Sequence, residues 1–97
     1  MDIALKIDQT EFALAEVRSI LSNALRSEAE QAHIRREHYA AMCQAFEREH
    51  KFSSDEFLNR FESGALGDEL FAFDWFAAKR GLDLWDRRYR ILSEVSL

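Results

Sequence analysis

Proline is absent from the 97-residue chain, and glycine is scarce, with three residues in all. An all-β domain needs a tight turn every few residues, and such turns depend on glycine and proline. The shortage therefore argues against a sandwich or a barrel and favours an all-α fold. A single domain spanning residues 1–97 is expected, because one hydrophobic core usually occupies about 100–150 residues.

Cysteine is nearly absent as well. Cys43 is the only cysteine, which excludes a disulfide within the chain. The N-terminus lacks the charged, apolar and small-residue regions of a signal peptide. No uninterrupted apolar run approaches the roughly 18 residues that a membrane span requires. We therefore expect a cytoplasmic protein with no membrane partner.

Positive charge is in deficit, since 13 basic side chains stand against 18 acidic ones and give a net charge of −5. Dedicated nucleic-acid-binding domains usually have a pI above about 9, whereas this chain has a pI near 5.1. Nucleic-acid binding as the sole task is therefore disfavoured. Hydrophobic residues make up 47% of the chain, which is enough to bury a core and excludes disorder of the whole protein.

The N-terminal half carries the signal of a helix start, followed by a long helical pattern. Asp8 is placed to cap a helix, and Glu11 lies three residues later, where it can reach back to the cap. The apolar pattern fades over residues 26–38. We predict one long helix over residues 9–51, with two helices as the alternative, because no glycine or proline interrupts the segment. Residues 1–7 alternate with period two and predict a short strand or arm.

A second helix start lies in the middle of the chain. Ser53 is the predicted cap and Glu56 its partner three residues later. Gly64 can adopt the left-handed conformation that closes helices. These signals predict a short helix over residues 54–63, and Asp68 offers the cap of the next helix.

The last segment, residues 68–96, predicts a second long helix with two apolar faces. One face is formed by residues that step by four and three along the chain: Phe71, Trp75, Ala78, Leu82, Trp85, Tyr89 and Leu92. The other face is turned away from the first: Leu70, Phe73, Leu84, Ile91 and Val95. Gly81 resembles a helix stop, but the pattern continues in phase through it, so one helix is favoured over a break.

A single protomer is too small to cover both faces of such a helix. We therefore predict an all-α, long-helix hairpin with a short connecting helix, which dimerises into a helical bundle. The residues expected to bind a partner are Phe71, Phe73, Asp74, Trp75, Trp85 and Arg88. Asp74 and Arg88 are included because they project into the apolar arc, where burying an unpaired charge costs several kcal/mol. A core role for the aromatic residues, and a position at the core rim for the two charges, stays open.

Signals for catalysis are sparse, and no cofactor, metal or catalytic site is predicted. His33 and His38 are five residues apart, which turns them away from a shared ion on a helix. Arg26 and His33, with six residues between them, resemble the arginine-histidine motif of the HEPN ribonucleases. Seven residues return two side chains to the same helix face, where arginine could hold phosphate and histidine could transfer a proton. An RNA-cleaving enzyme using these two residues is therefore kept as an alternative.

The strongest family resemblance covers residues 46–88, which read FEREHKFSSDEFLNRFESGALGD followed by ELFAFDWFAAKRGLDLWDRR. The segment resembles a family of small prokaryotic antitoxins that are encoded beside toxin genes. Its most specific part is the motif S-S-x-E-F-x-x-x-F-x-x-G-x-L-G-D over residues 53–68. The resemblance implies a non-catalytic protein that binds and neutralises a cognate toxin. It leaves binding to operator DNA open, although the acidic balance disfavours it, and a dimeric scaffold without a toxin is a third interpretation.

Overall fold

The computed structural model describes residues 4–97, which form three helices: α1 (Leu14–His50), α2 (Ser54–Glu62) and α3 (Leu70–Glu94). The long helices α1 and α3 pack against each other, and α2 lies in the connection between them. The predicted all-α hairpin with a short connecting helix is therefore confirmed. The expected dimer stays a prediction.

The two long helices are antiparallel along the whole contact. His33 lies beside Tyr89, with ring centroids 5.5 Å apart, while His50 stacks on Phe71 at the other end. The 37 residues of α1 correspond to about 55 Å of helix, whereas α3 has 25 residues. The first turns of α1 therefore extend beyond the end of α3.

The start of α1 differs from the prediction, because the helix begins at Leu14 rather than near Asp8. The Asp8 carboxylate accepts hydrogen bonds from the hydroxyl and the N–H of Thr10, two residues later. This local turn competes with a helix cap for the same side-chain oxygens. The hydroxyl bond also holds the pKa of Asp8 below its usual value. Phe12, two residues before the helix begins, is 51% exposed.

The strand or arm predicted over residues 1–7 lies partly outside the described residues, which begin at residue 4. Residues 4–7 belong to neither a helix nor a strand.

Helix α1 is continuous through residues 26–38, as the favoured interpretation of the N-terminal half predicts. It ends at His50 because Lys51 adopts the left-handed conformation, with φ at 66°, and donates its N–H to the Glu47 carbonyl at 2.9 Å. A lysine in this conformation carries no sequence signal, since glycine or asparagine usually occupies such positions.

Helix α2 begins as its sequence predicts. The Ser53 hydroxyl accepts a hydrogen bond from the Glu56 N–H at 3.1 Å, which confirms the cap. The Glu56 side chain, however, turns outward and accepts from the Arg60 guanidinium at 3.1 Å. One of the two predicted capping bonds is therefore replaced by an ion pair along the helix surface.

The end of α2 is closed by Gly64, which has a positive φ of 78°. The Ala65 N–H donates to the Arg60 carbonyl at 3.0 Å, and the Gly64 N–H donates to the Phe61 carbonyl at 3.2 Å. This pair of bonds is the Schellman motif, which satisfies carbonyls that a helix end leaves free. The predicted role of the glycine is confirmed.

Helix α3 begins at Leu70, so the prediction that Asp68 caps it is wrong. Glu69 occupies the cap position, and its side chain bonds no N–H of the described helix end. The helix then continues through Gly81, where a Cβ atom would lie 2.6 Å from Cε1 of Tyr39. The glycine therefore allows α1 and α3 to approach closely and is not a helix stop.

The core lies at the end of the hairpin where all three helices meet. Its buried residues are Cys43, Phe57, Ala72, Trp75 and Ala78. Trp75 and Phe57 are the largest side chains buried there. The core therefore sits at the α2 end of the hairpin, away from the free end of α1.

Candidate functional site

Trp75 is the centre of the core and is 0% exposed. Its ring stacks on Phe57 with centroids 4.2 Å apart, and Phe46 and Phe52 stack around it at 5.5 and 5.1 Å. Its Nε1–H donates to the Ser54 hydroxyl at 2.9 Å. The predicted partner-binding role of Trp75 is therefore corrected to the core role that was kept as the alternative.

Ser54 links the three helices at this point. Its hydroxyl accepts from Trp75 on α3, and its N–H donates to the Glu47 carboxylate on α1 at 2.8 Å. The carboxylate lies at the N-terminus of α2, where the helix dipole favours negative charge. The angle at which α2 meets the hairpin is thus fixed by hydrogen bonds as well as by stacking.

Phe71 belongs to the same aromatic cluster. It is half-buried and stacks on His50, with centroids 4.1 Å apart. The His50 Nε2 atom is buried and has no hydrogen-bond partner among the described residues. Phe71 is therefore turned toward α1 while part of its ring stays exposed, and its partner-binding role stays a prediction.

Trp85 is half-buried between two arginines. The guanidinium carbons of Arg35 and Arg88 lie 4.7 and 4.8 Å from its ring centroid. Such cation–π contacts contribute about 0.5–1 kcal/mol each at exposed sites. Trp85 is therefore engaged within the protomer, while the exposed Arg88 has a face toward solvent.

The second apolar face of α3 is open along its length. Four large side chains on it are about half exposed or more: Leu70 at 83%, Phe73 at 52%, Leu84 at 49% and Ile91 at 53%. Together with the exposed Ala77 we call these residues the outer stripe. Of the six predicted partner-binding residues, Phe73 lies on this stripe, and the exposed Asp74 and Arg88 lie at its edge. Val95 lies beyond the last helical residue and does not extend it.

A groove between α1 and the end of α3 contains Arg26 and His33, the two residues of the predicted RNA-cleaving site. Its volume is about 490 Å³, and its lining residues are Arg26, Ala29, Glu30, His33, Ile34, Tyr89 and Ser93. The structure thus brings Arg26 and His33 to one surface depression. The Arg36 guanidinium lies 3.1 Å from Nδ1 of His33. Arginine can only donate, so Nδ1 of His33 is the acceptor in this contact.

Two titratable side chains near the α2 contact have shifted pKa values. Burial alone would lower the pKa of Lys79, but its bonds to Asp83 at 2.9 Å and to Asp55 at 3.3 Å outweigh burial and raise it. Burial raises the pKa of the Cys43 thiol. The lysine joins α2 to α3 through exposed carboxylates, and the thiol is a neutral core group at ordinary pH.

Among residues 4–97, no group of three or more His, Cys, Asp or Glu side chains could hold a metal ion. Within the same range, each helix is too short or too polar to cross a membrane. Comparison of the chain with protein-family models, with curated proteins and with solved structures finds no match.

Proposed function

We propose that the protein is a non-catalytic protein-interaction module whose docking surface is the outer stripe of α3. The observation that carries the proposal is the row of four large apolar side chains that the protomer leaves exposed. Leu70 and Ile91 are 21 residues apart, so the row is about 32 Å long. Continuous apolar patches on a small protein mark interaction sites far more often than single exposed residues do.

The outer stripe fits a helical partner. Leu70, Ala77, Leu84 and Ile91 recur every seven residues, which keeps them on one line of the helix. Burying apolar surface contributes roughly 25 cal/mol per Å². A second helix laid along this line would shield all four side chains at once, as in helix-in-groove recognition.

The antitoxin resemblance supports a toxin as the biological partner. Three residues of its motif are structural in this fold: Ser53 caps α2, Phe57 stacks on Trp75, and Gly64 closes α2. The motif therefore builds the support that holds α3 in place. In this proposal the toxin docks on the outer stripe, and the protein acts in the cytoplasm of a prokaryotic cell.

Growth rescue tests this proposal directly. The protein encoded by the neighbouring gene is expressed until growth stops, and the present protein is then co-expressed. We expect rescue by the wild type and by Ile20→Asp, a control at an exposed aliphatic residue of α1. Leu84→Asp should fail to rescue because it places a charge in the docking surface. The proposal is contradicted if Leu84→Asp restores growth as well as the wild type does. It is also contradicted if expression of the neighbouring gene does not stop growth.

The RNA-cleaving alternative rests on one observation, the shared groove of Arg26 and His33. The contact with Arg36 weakens it, because it occupies Nδ1 of His33 and leaves only Nε2 to exchange a proton with RNA. Incubating a mixed-sequence RNA with the wild type and with His33→Ala separates the two functions. Cleavage that disappears in the variant would establish the enzyme in place of the interaction module.

A further inference from the structure

The outer stripe carries opposite charges at its two ends. Its N-terminal end is flanked by the exposed carboxylates of Asp68, Glu69 and Asp74. Its C-terminal half is flanked by the exposed guanidinium groups of Arg80, Arg87 and Arg88. None of these six groups forms an ion pair with another described residue, whereas the nearby Asp83 and Asp86 are paired within the protomer. The apolar row is thus bordered by charges that still lack counterions.

We propose that a second copy of this chain covers the outer stripe, with the two α3 helices antiparallel. This inference rests on the proposed function and names the occupant of the same surface. A parallel pair would bring the two acidic ends together and the two basic halves together. An antiparallel pair places the acidic end of each copy beside the basic half of the other, which favours association through complementary charge.

The spacing of the charges fits a two-fold axis beside Gly81. Asp74 and Arg88 lie seven residues before and after this glycine, on the same edge of the outer stripe. In an antiparallel pair about that axis, Asp74 of each copy faces the partner's Arg88. The contact therefore forms twice, as an isologous interface requires.

The apolar residues are compatible with the same arrangement. Ala77 lies four residues before Gly81 and Leu84 three residues after it. The two-fold axis therefore places the small Ala77 of each copy near the large Leu84 of the other. Leu70 of each copy then lies near the partner's Ile91. The four exposed aliphatic and aromatic side chains of one protomer are shielded by those of the other.

A contact formed by one helix of this length lies at the small end of stable protein interfaces. The dimer is therefore expected to dissociate in the micromolar range. Such a dimer protects the outer stripe when the toxin is absent and releases it when a tighter partner arrives. Self-association and toxin binding then compete for one surface.

Sedimentation equilibrium of the full chain over a range of concentrations tests the dimer. The wild type should approach twice 11.4 kDa as concentration rises. Asp74→Arg and Arg88→Asp should each raise the dissociation constant at least tenfold, because each sets like charges opposite one another. The double variant Asp74→Arg/Arg88→Asp should restore dimerisation. Glu49→Arg, the same change of charge on the exposed surface of α1, is the matched control, and circular dichroism checks that each variant is folded.

A dimer that both single variants weaken and the double variant fails to restore would overturn the antiparallel arrangement. A wild type that stays monomeric at every concentration would overturn the dimer itself. If the wild type is monomeric, the growth-rescue experiment still tests the interaction module separately from the dimer. Loss of rescue by Leu84→Asp would leave the interaction module standing without self-association, whereas rescue by that variant would remove both.

Discussion

The two ends of the hairpin are held together in different ways. At the α2 end, Trp75 of α3 is enclosed by aromatic rings from α1, from α2 and from the segment between them, and its N–H is paired with Ser54. At the far end, α1 and α3 meet without α2, and Arg36 lies over Tyr89 at 4.5 Å while also pairing with Asp86 at 3.5 Å. Stacked, desolvated rings dominate the first end, and partly exposed cation contacts dominate the second.

This difference indicates where the free energy of folding resides. Exposed ion pairs contribute about 0–1 kcal/mol each, whereas a buried aromatic side chain contributes several. The α2 end is therefore the stable anchor of the fold. It holds α3 in a fixed position while the outer stripe of that helix remains exposed for a partner.

The largest expected effect comes from removing the ring at the centre of the anchor. Trp75→Ala should lower the free energy of unfolding by about 3–5 kcal/mol, since it leaves a cavity and an unpaired Ser54 hydroxyl. Trp85→Ala, at the far end, should cost about 1–2 kcal/mol, because that ring is half-buried and contacts arginines. Urea unfolding followed by circular dichroism measures both. Equal losses in the two variants would show that the ends do not differ as described.

The close approach of the two long helices is tested at Gly81. Gly81→Ala should destabilise the protein by about 1–3 kcal/mol, because the new Cβ overlaps the Tyr39 ring. The same substitution on a Tyr39→Ala background should be neutral or should stabilise by up to about 1 kcal/mol, since alanine is the better helix former. A double-mutant cycle from urea unfolding measures this coupling. Additive effects would mean that the helices do not touch at this glycine.

The cap of α2 should contribute less. Ser53→Ala removes the hydroxyl that accepts from the Glu56 N–H and should cost about 1 kcal/mol. Ser27→Ala, at an exposed position inside α1, is the matched control and should cost nothing, because alanine has the higher helix propensity. Thermal and urea unfolding of both variants would reveal the difference. If Ser53→Ala leaves the free energy of unfolding unchanged, the Ser53 cap does not contribute to the stability of the α2 end.

The smallest effect concerns Lys79, which joins α2 to α3. Its pKa is raised from the ordinary 10.5, so its contribution is complete below that value and is lost as the pH rises through the folded-state pKa. Because Asp55 and Asp83 are exposed, the contribution is under about 1 kcal/mol. The unfolding free energies of the wild type and of Lys79→Gln should differ near pH 8 and should converge once the pH has risen past the raised pKa of Lys79. If the difference in the free energy of unfolding grows with pH, the charged form of Lys79 is not the form that stabilises the fold.

Local signals located α2 but misplaced the first residues of α1 and α3. The Ser53 cap and the Gly64 stop located α2, because each depends on a few neighbouring residues. Asp8 misled the prediction of α1, since its carboxylate bonded the nearby Thr10 instead of a helix end. The short-range competition between a turn and a cap cannot be resolved from residue types alone.

The two faces of α3 show a second limit. Helical spacing separated the set with Trp75 from the set with Leu70, yet the same spacing could not say which face the protomer covers. The answer depends on where α1 and α2 pack, and these two helices cover Trp75 while Leu70 stays exposed. Gly81 was also ambiguous, because close helix approach and helix termination favour the same residue.

Hydroxyl-radical labelling of the unaltered protein, at low and high concentration, tests most directly whether the outer stripe is a docking surface. Leu70, Phe73, Leu84 and Ile91 should become protected at high concentration, while Ile20 and Ile34, which are also exposed in the protomer, should be labelled equally under both conditions. Addition of the toxin should protect the same four residues. Unchanged labelling of these four residues in both experiments would show that the outer stripe is not a docking surface.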